Sequence, residues 1–191
     1  MRNSFFALFG LLLGACSGGH PAGPNMDAIL ADEPAAVLSD YALFEDKAAT
    51  RPTTGVVSYE LINPLFSDHS VKERLVFVPH AKQASWSDEE VFDFPVGSVL
   101  VKSFSYPETG RIETRLLINK TSGWVAYPYV WNEEKSEAVY APIGTKKPIK
   151  VSDLTGNVLE FTYAVPNQNQ CKTCHQAGDC LLYTSPSPRD S

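Results

Sequence analysis

The residues with the most clearly defined chemistry form one motif near the end of the chain, Cys171-Lys172-Thr173-Cys174-His175. On a helical turn, side chains at positions i and i+3 point the same way, so the two thiols can reach the two vinyl groups on one edge of a porphyrin. His175 follows immediately and can present its imidazole to the iron from the same side. This spacing predicts one covalently attached haem c, with His175 as the proximal iron ligand.

Two other kinds of site share the Cys-x-x-Cys spacing, namely zinc sites and redox-active dithiols. The histidine in the next position favours haem over both. The sequence also lacks a second Cys-x-x-Cys, which a zinc site of this type would need. Asn167 stands four residues before the motif, and we expect it to cap the turn that carries Cys171 rather than to tune the haem.

The first 15 residues are typical of a bacterial export signal. Arg2 supplies a short positive region, and residues 5–13 form an apolar stretch that is too short to span a bilayer stably. Leu13-Gly14-Ala15-Cys16 is similar to a lipobox, so we expect lipid attachment at Cys16. Cleavage as an ordinary signal peptide is the alternative, but it would leave an unpaired thiol in an oxidising compartment.

Residues 16–25 are rich in Gly, Pro and Ser and predict a flexible tether. Because Ser17 rather than Asp follows Cys16, we expect the protein on the periplasmic side of a Gram-negative outer membrane, held by its lipid anchor only. The formal net charge of −6 disfavours nucleic acid as a partner and would suit a basic redox protein.

Residues 180–191 differ in character from the rest of the chain. The eleven residues Cys180-Leu-Leu-Tyr-Thr-Ser-Pro-Ser-Pro-Arg-Asp190 match the translation of a transposase sequencing adapter, and a genuine polar tail is the alternative. We therefore expect the natural reading frame to be interrupted at about Asp179, which would make this chain a fragment. With Cys16 assigned to lipid and Cys180 set aside, no cysteine is left for a structural disulfide.

The region between these termini is predicted to be mainly β, an antiparallel meander or sandwich-like domain over residues 26–165. Residues 166–179 would begin a truncated haem-bearing segment with a C-terminal haem-attachment turn. A short helical turn at 26–30 and a docking segment at 39–44, which buries Leu43 and Phe44, are expected to precede the strands. Alternating residues and Gly-containing turns place the candidate strands at residues 57–62, 74–78, 99–106, 111–119, 124–131, 137–140 and 158–165.

Several stretches of the chain together resemble a family of uncharacterised exported di-haem c-type cytochromes of Gram-negative bacteria. The matching sequences are PLFSDHSVKER (64–74), FDFPVGSVLVKSF (92–104), IETRLL (112–117), YVWN (129–132) and VPNQNQCKTCH (165–175). The resemblance implies a β-rich domain followed by the first haem, a helical stretch and a second Cys-x-x-Cys-His beyond the end of this chain. Some relatives occur with sugar dehydrogenase propellers, which implies electron acceptance from a periplasmic dehydrogenase.

A weaker resemblance is to cytochrome P460, which shares the order Phe-Pro-x-Gly-x-Val-x-Val-Lys, Trp and Tyr strands, and terminal Cys-x-x-Cys-His. Those proteins hold haem against a β-sheet with an open distal face and carry out oxidative chemistry. The resemblance draws attention to Lys102, although a snorkelling strand lysine is the simpler interpretation.

Other residues could serve the haem. His69, His80 and Met26 are candidate sixth ligands, although surface positions for the histidines and helix packing for Met26 are the simpler interpretations. Glu113 and Arg115 are two apart on one strand and predict a structural ion pair, with contact between Arg115 and a haem propionate as the alternative.

Three functions are compatible with these patterns. The first is one-electron transfer in the periplasm. The second is a haem enzyme of the P460 or peroxidase type with an open distal site. The third is a β-domain that docks a partner of a larger di-haem protein. Electron transfer fits the motif and the family resemblance best, and on this interpretation the protein is a carrier rather than a catalyst.

Overall fold

The computed structural model describes residues 23–62, 66–86, 92–152 and 156–171, together with the backbone of 176–177 and 180–181. Its centre is a six-stranded sheet in which each strand pairs antiparallel with the next along the chain. The strands are β1 (Val56–Ser58), β2 (Val71–Phe77), β3 (Val99–Tyr106), β4 (Gly110–Lys120), β5 (Gly123–Trp131) and β6 (Ala138–Tyr140). The prediction of a mainly β, antiparallel meander is confirmed.

Two further strands, β7 (Thr145–Ser152) and β8 (Val158–Val165), form a separate antiparallel ribbon. The sequence did not predict β7, because Pro148 and three lysines obscure its alternation. Only Ile149 and Val151 are buried in it, which is enough to anchor a ribbon of which one face is solvated. Two two-residue strands, β9 (Gln176–Ala177) and β10 (Cys180–Leu181), pair antiparallel at the end of the chain.

One side of the six-stranded sheet, here called the inner face, is closed by the segment that precedes β1. Helix α1 (Met26–Leu30) lies in this segment, as predicted, and Asn25 caps it by accepting a hydrogen bond from the Ala28 amide. A 3-10 helix follows at Leu38–Tyr41, where the Tyr41 hydroxyl accepts a hydrogen bond of 2.9 Å from Tyr129. Leu43 is fully buried as expected, whereas Phe44 is only partly buried.

The opposite side, here called the outer face, carries two separate apolar clusters. One surrounds Cys171, and the other lies between the sheet and the β7–β8 ribbon. A register shift at Phe104/Ser105 moves Ile112 into the second cluster. The expectation that Ile112 shares a face with Leu116 was therefore wrong, since a bulge interrupts the period of two.

None of the helices among the described residues is long and apolar enough to cross a membrane.

Candidate haem-binding face

Cys171 is held in place by a capped 3-10 turn, Gln168–Gln170. The Asn167 side chain accepts a 2.9 Å hydrogen bond from the Gln170 amide, and the Gln170 side chain accepts one in return from the Asn167 amide. The turn is fastened to β6 because the Tyr140 hydroxyl donates to the Gln168 side chain at 2.5 Å. The predicted capping role of Asn167 is confirmed, and its effect is to fix the backbone immediately before the first haem cysteine.

The Cys171 side chain is 5% exposed and packs on the outer face of the sheet. Its apolar neighbours come from β3, β4 and β5, since every second residue of each strand points to this side. Half-buried Trp124 and Val76 extend the surface at its margin. The buried members of this cluster are Phe94, Leu100, Leu117, Ala126 and Cys171.

Three basic residues cross the outer face next to this cluster. Arg74 of β2 lies directly opposite Lys102 of β3, which lies directly opposite Arg115 of β4. This set of three is called the basic row below. Lys102 and Arg115 both lean over the ring of Phe104, with Nζ 5.2 Å and Cζ 4.4 Å from its centroid.

Arg115 also forms an ion pair with Glu113. Its Nε and Nη2 atoms donate to the two carboxylate oxygens at 2.9 and 2.5 Å, and the Tyr163 hydroxyl of the ribbon donates to the same carboxylate at 2.5 Å. Glu113 is fully buried, whereas the Arg115 side chain is 23% exposed. The predicted structural pair is confirmed, and its arrangement leaves the guanidinium facing the Cys171 cluster.

The electrostatics of this group follow from its burial. Desolvation alone would lower the pKa of the Arg115 guanidinium, but the hydrogen bonds and negative charge of Glu113 raise it above its ordinary value. Burial raises the pKa of the Tyr163 hydroxyl, and the adjacent Glu113 charge raises it further. Arg115 therefore stays cationic and Tyr163 stays a hydrogen-bond donor throughout the physiological range.

A small cavity joins the apolar cluster to the basic row. Its volume is about 40 Å³, and Tyr59, Leu100, Val101, Lys102, Arg115, Leu117 and Cys171 line it. It has room for a water molecule but not for a porphyrin. A haem bonded to Cys171 would therefore lie across the outer face rather than inside this cavity.

The chemistry of the described residues fits such a group. A haem presents a large apolar ring and two carboxylates. Around Cys171 the outer face offers leucine, alanine and tryptophan contacts beside a set of cations, which together match both parts of the cofactor.

The remaining predicted site residues fall into two groups. Cys16, Cys174 and His175 lie outside the described residues. His69 and His80 are both exposed, as the simpler interpretation had it.

Met26 lies elsewhere in the fold. It packs against the cluster on the inner face, on the other side of the sheet from Cys171. The packing interpretation of Met26 is thus confirmed. Among the tryptophans, Trp131 is buried in the core as expected, whereas Trp86 is 66% exposed.

Sequence reasoning missed two members of this face, Arg74 and Tyr163. Arg74 is 4% exposed although it carries a charge, and a buried arginine in a strand marks an unusual environment. The alternation of Lys72, Glu73 and Arg74 could have indicated that Lys72 and Arg74 share a side. Their alignment with Lys102 and Arg115 depends on strand register, which the sequence does not state.

In comparisons with known proteins, no family model, no curated protein and no solved structure matches this chain. Within the described residues, no three His, Cys, Asp or Glu side chains are grouped closely enough to hold a metal ion. The haem assignment and the family resemblance therefore remain predictions.

Proposed function

We propose that this protein is an exported c-type cytochrome that carries single electrons on the periplasmic side of the membrane. In this proposal, Cys171 and Cys174 bind one haem c covalently and His175 is the proximal ligand of its iron. The observation that carries the proposal is the position of Cys171. The first cysteine of a Cys-x-x-Cys-His motif lies on a sheet face that combines apolar contacts with a basic row.

When bound, the haem supplies an iron that alternates between the ferric and ferrous states. The residues of the outer face would set the conditions for that exchange. Leu100, Leu117 and Ala126 exclude water from one side of the motif, which raises the influence of nearby charges. The Glu113–Arg115 pair holds a guanidinium in a fixed position close to Cys171.

The proposed setting follows from the sequence. A lipid on Cys16 would hold the protein at the membrane surface, probed by a partner such as a periplasmic dehydrogenase. The second haem implied by the family resemblance would lie in the missing C-terminal part. Its presence there would make this chain one half of an electron relay.

Haem attachment is tested by expressing the full chain together with a cytochrome c maturation system and recording the pyridine haemochrome spectrum. We expect one covalent haem per chain. Cys171→Ser and Cys174→Ser should each lose one thioether bond and shift the haemochrome band, and His175→Ala should abolish stable attachment. Cys180→Ser is the matched control and should leave the spectrum unchanged. A chain without covalent haem would refute the proposal.

A second candidate function is oxidative haem chemistry of the P460 or peroxidase type. The observation in its favour is that Cys171 lies directly against a β-sheet that carries half-buried Lys102. A five-coordinate ferrous spectrum with turnover of peroxide would support this candidate. A six-coordinate spectrum, a reversible potential and slow reaction with peroxide would support electron transfer.

Lipid anchoring has a test of its own. Mass spectrometry of the mature protein should find a diacylglyceryl group on Cys16 at the new N-terminus. Cys16→Ala should release the protein from membranes, and a variant that stays fully membrane-bound would argue against the anchor.

A further inference from the structure

We propose that the basic row, Arg74, Lys102 and Arg115, binds the propionate carboxylates of the haem attached at Cys171. This inference rests on the proposed function and deepens it, because it assigns the anionic half of the cofactor to residues outside the Cys-x-x-Cys-His motif. In this arrangement the sheet, and not only the attachment turn, orients the haem.

The first argument is the register of the sheet. Side chains directly opposite each other on antiparallel strands have Cβ atoms about 5 Å apart, and like charges in such pairs destabilise a sheet. Here two such pairs are joined end to end, Arg74 with Lys102 and Lys102 with Arg115. Lys72 lies nearby, and burial together with the Arg74 charge lowers its pKa. An anion bound across the row would relieve this repulsion.

The second argument is the placement of the carboxylates that already contact the row. Glu113 is fully buried and takes Nε and Nη2 of Arg115 on the side of the ribbon. Glu60 is 84% exposed, and its carboxylate lies 3.8 Å from Nη1 of Arg74. Each carboxylate contacts one end of the row, and Lys102 is the central member between them.

The third argument is the cavity that Lys102 and Arg115 share with Cys171. The residue that would bond the haem and two of the three cations line the same space. The charge of Arg115 is close enough to Cys171 for the two groups to interact electrostatically. A group bonded to Cys171 is therefore within reach of the row without any rearrangement of the sheet.

Lys102→Met is the most informative variant, because methionine keeps most of the apolar stem and removes only the charge. Lys102→Arg restores the charge, and Lys146→Met removes an exposed lysine from the ribbon as a matched control. Each is made as the full holoprotein. The measurements are the ferric–ferrous equilibrium by spectroelectrochemistry and the propionate bending band in the resonance Raman spectrum.

Loss of a cation beside the haem carboxylates stabilises the ferric state. In Lys102→Met we expect the equilibrium to move about twofold to fivefold toward ferric iron, the size of a partly exposed charge interaction, and the propionate band to shift. Lys102→Arg should restore both values, and Lys146→Met should change neither. A holoprotein in which Lys102→Met leaves the propionate band unchanged would overturn the inference while leaving haem attachment intact.

The same measurements with and without added inorganic phosphate distinguish the haem carboxylates from a small anion taken from solution. An effect of Lys102→Met that is independent of phosphate supports propionate binding. An effect that occurs only with phosphate present would show that the row binds a free anion, and the inference would fail. Absence of covalent haem in the unmodified protein would instead refute the proposed function itself.

Discussion

The two faces of the central sheet are built on different principles. The inner face is continuous and apolar, and the segment before β1 covers it with Ile29, Leu38 and Leu43, all essentially inaccessible to water. The outer face is divided into two apolar clusters, with Glu113, Arg115, Lys102 and Arg74 between them. Both faces belong to the same strands, so a single residue step along β4 leads from one to the other.

The difference separates stability from function. Apolar burial on the inner face lowers the free energy of the folded state without any requirement for exact partners. Buried charges on the outer face must be desolvated, and replacing such a pair with apolar residues is often neutral or stabilising. Sheet stability therefore does not explain why the outer face keeps its charges, whereas an anionic cofactor next to Cys171 does.

The largest effect is expected from removing the buried carboxylate of the outer face. Glu113→Ala leaves the Arg115 guanidinium and the Tyr163 hydroxyl without their shared partner, and we expect a loss of about 3–5 kcal/mol in the free energy of unfolding. Urea unfolding followed by circular dichroism measures it.

Glu134→Ala removes the same charge from an exposed position and should cost about 0.5 kcal/mol or less. Adding Arg115→Met to Glu113→Ala should recover part of the loss, because no unpaired charge then remains. If Glu113→Ala costs no more than Glu134→Ala, the outer face is not held together by this pair.

Two adjacent leucines of β4 compare the faces directly. Leu116 is fully buried on the inner face, whereas Leu117 is 8% exposed on the outer face beside Cys171. Leu116→Ala should cost about 2–5 kcal/mol and leave the haem spectrum unchanged. Leu117→Ala should cost less but alter the haem absorption and cyanide affinity of the holoprotein. Equal spectral effects of the two substitutions would contradict the separation of roles.

A third comparison uses two glycines with similar positive φ angles. A Cβ on Gly144 would collide with the Val165 carbonyl oxygen and lie 2.9 Å from the Asn167 amide nitrogen, whereas a Cβ on Gly156 meets nothing within 4 Å. Gly156→Ala should cost about 1–2 kcal/mol from its φ alone. Gly144→Ala should cost more and should also perturb the haem spectrum, because it displaces the backbone that leads to Cys171.

Stability and haem spectra of the two alanine variants, measured together, check this prediction. Similar values for Gly144→Ala and Gly156→Ala would show that the chain before Cys171 can move without effect on the site.

Much of the fold could be predicted because its strands alternate cleanly and its turns contain glycine. Strand β3 was placed at residues 99–106 and is found there, and β5 was placed within one residue of its observed start. The bulge at Phe104/Ser105 and the strand β7 were not predicted, since a bulge leaves no compositional signal and Pro148 argues against a strand.

The candidate site was predictable only in part, for a related reason. Residues that are close in sequence, such as Glu113 and Arg115, revealed their pairing through spacing alone. The basic row joins residues separated by 28 and 13 positions, 74 to 102 and 102 to 115, and becomes visible only when the register of β2, β3 and β4 is known. Local chemistry was thus legible from the sequence, whereas cross-strand chemistry was not.

The smallest expected effect concerns Tyr106, which anchors the ribbon end of the outer face. Its hydroxyl donates a 2.7 Å hydrogen bond to the Asp68 carbonyl oxygen, and burial, together with the charges of Asp68 and Glu113, raises the pKa of Tyr106 to about 12. Near pH 8, Tyr106→Phe should cost about 0.5–1.5 kcal/mol, the contribution of one hydrogen bond.

The pH dependence of this contribution follows from the raised pKa. The unfolded chain releases the Tyr106 proton near pH 10, whereas the folded protein keeps it until about pH 12. The stabilisation is therefore complete below pH 10 and is lost as the pH rises toward 12. Urea midpoints of the unmodified protein and of Tyr106→Phe, measured from pH 8 to 12, should converge over the upper two pH units. Parallel curves across that range would mean that Tyr106 ionises as it does in water, and that the ribbon does not seal this end of the outer face.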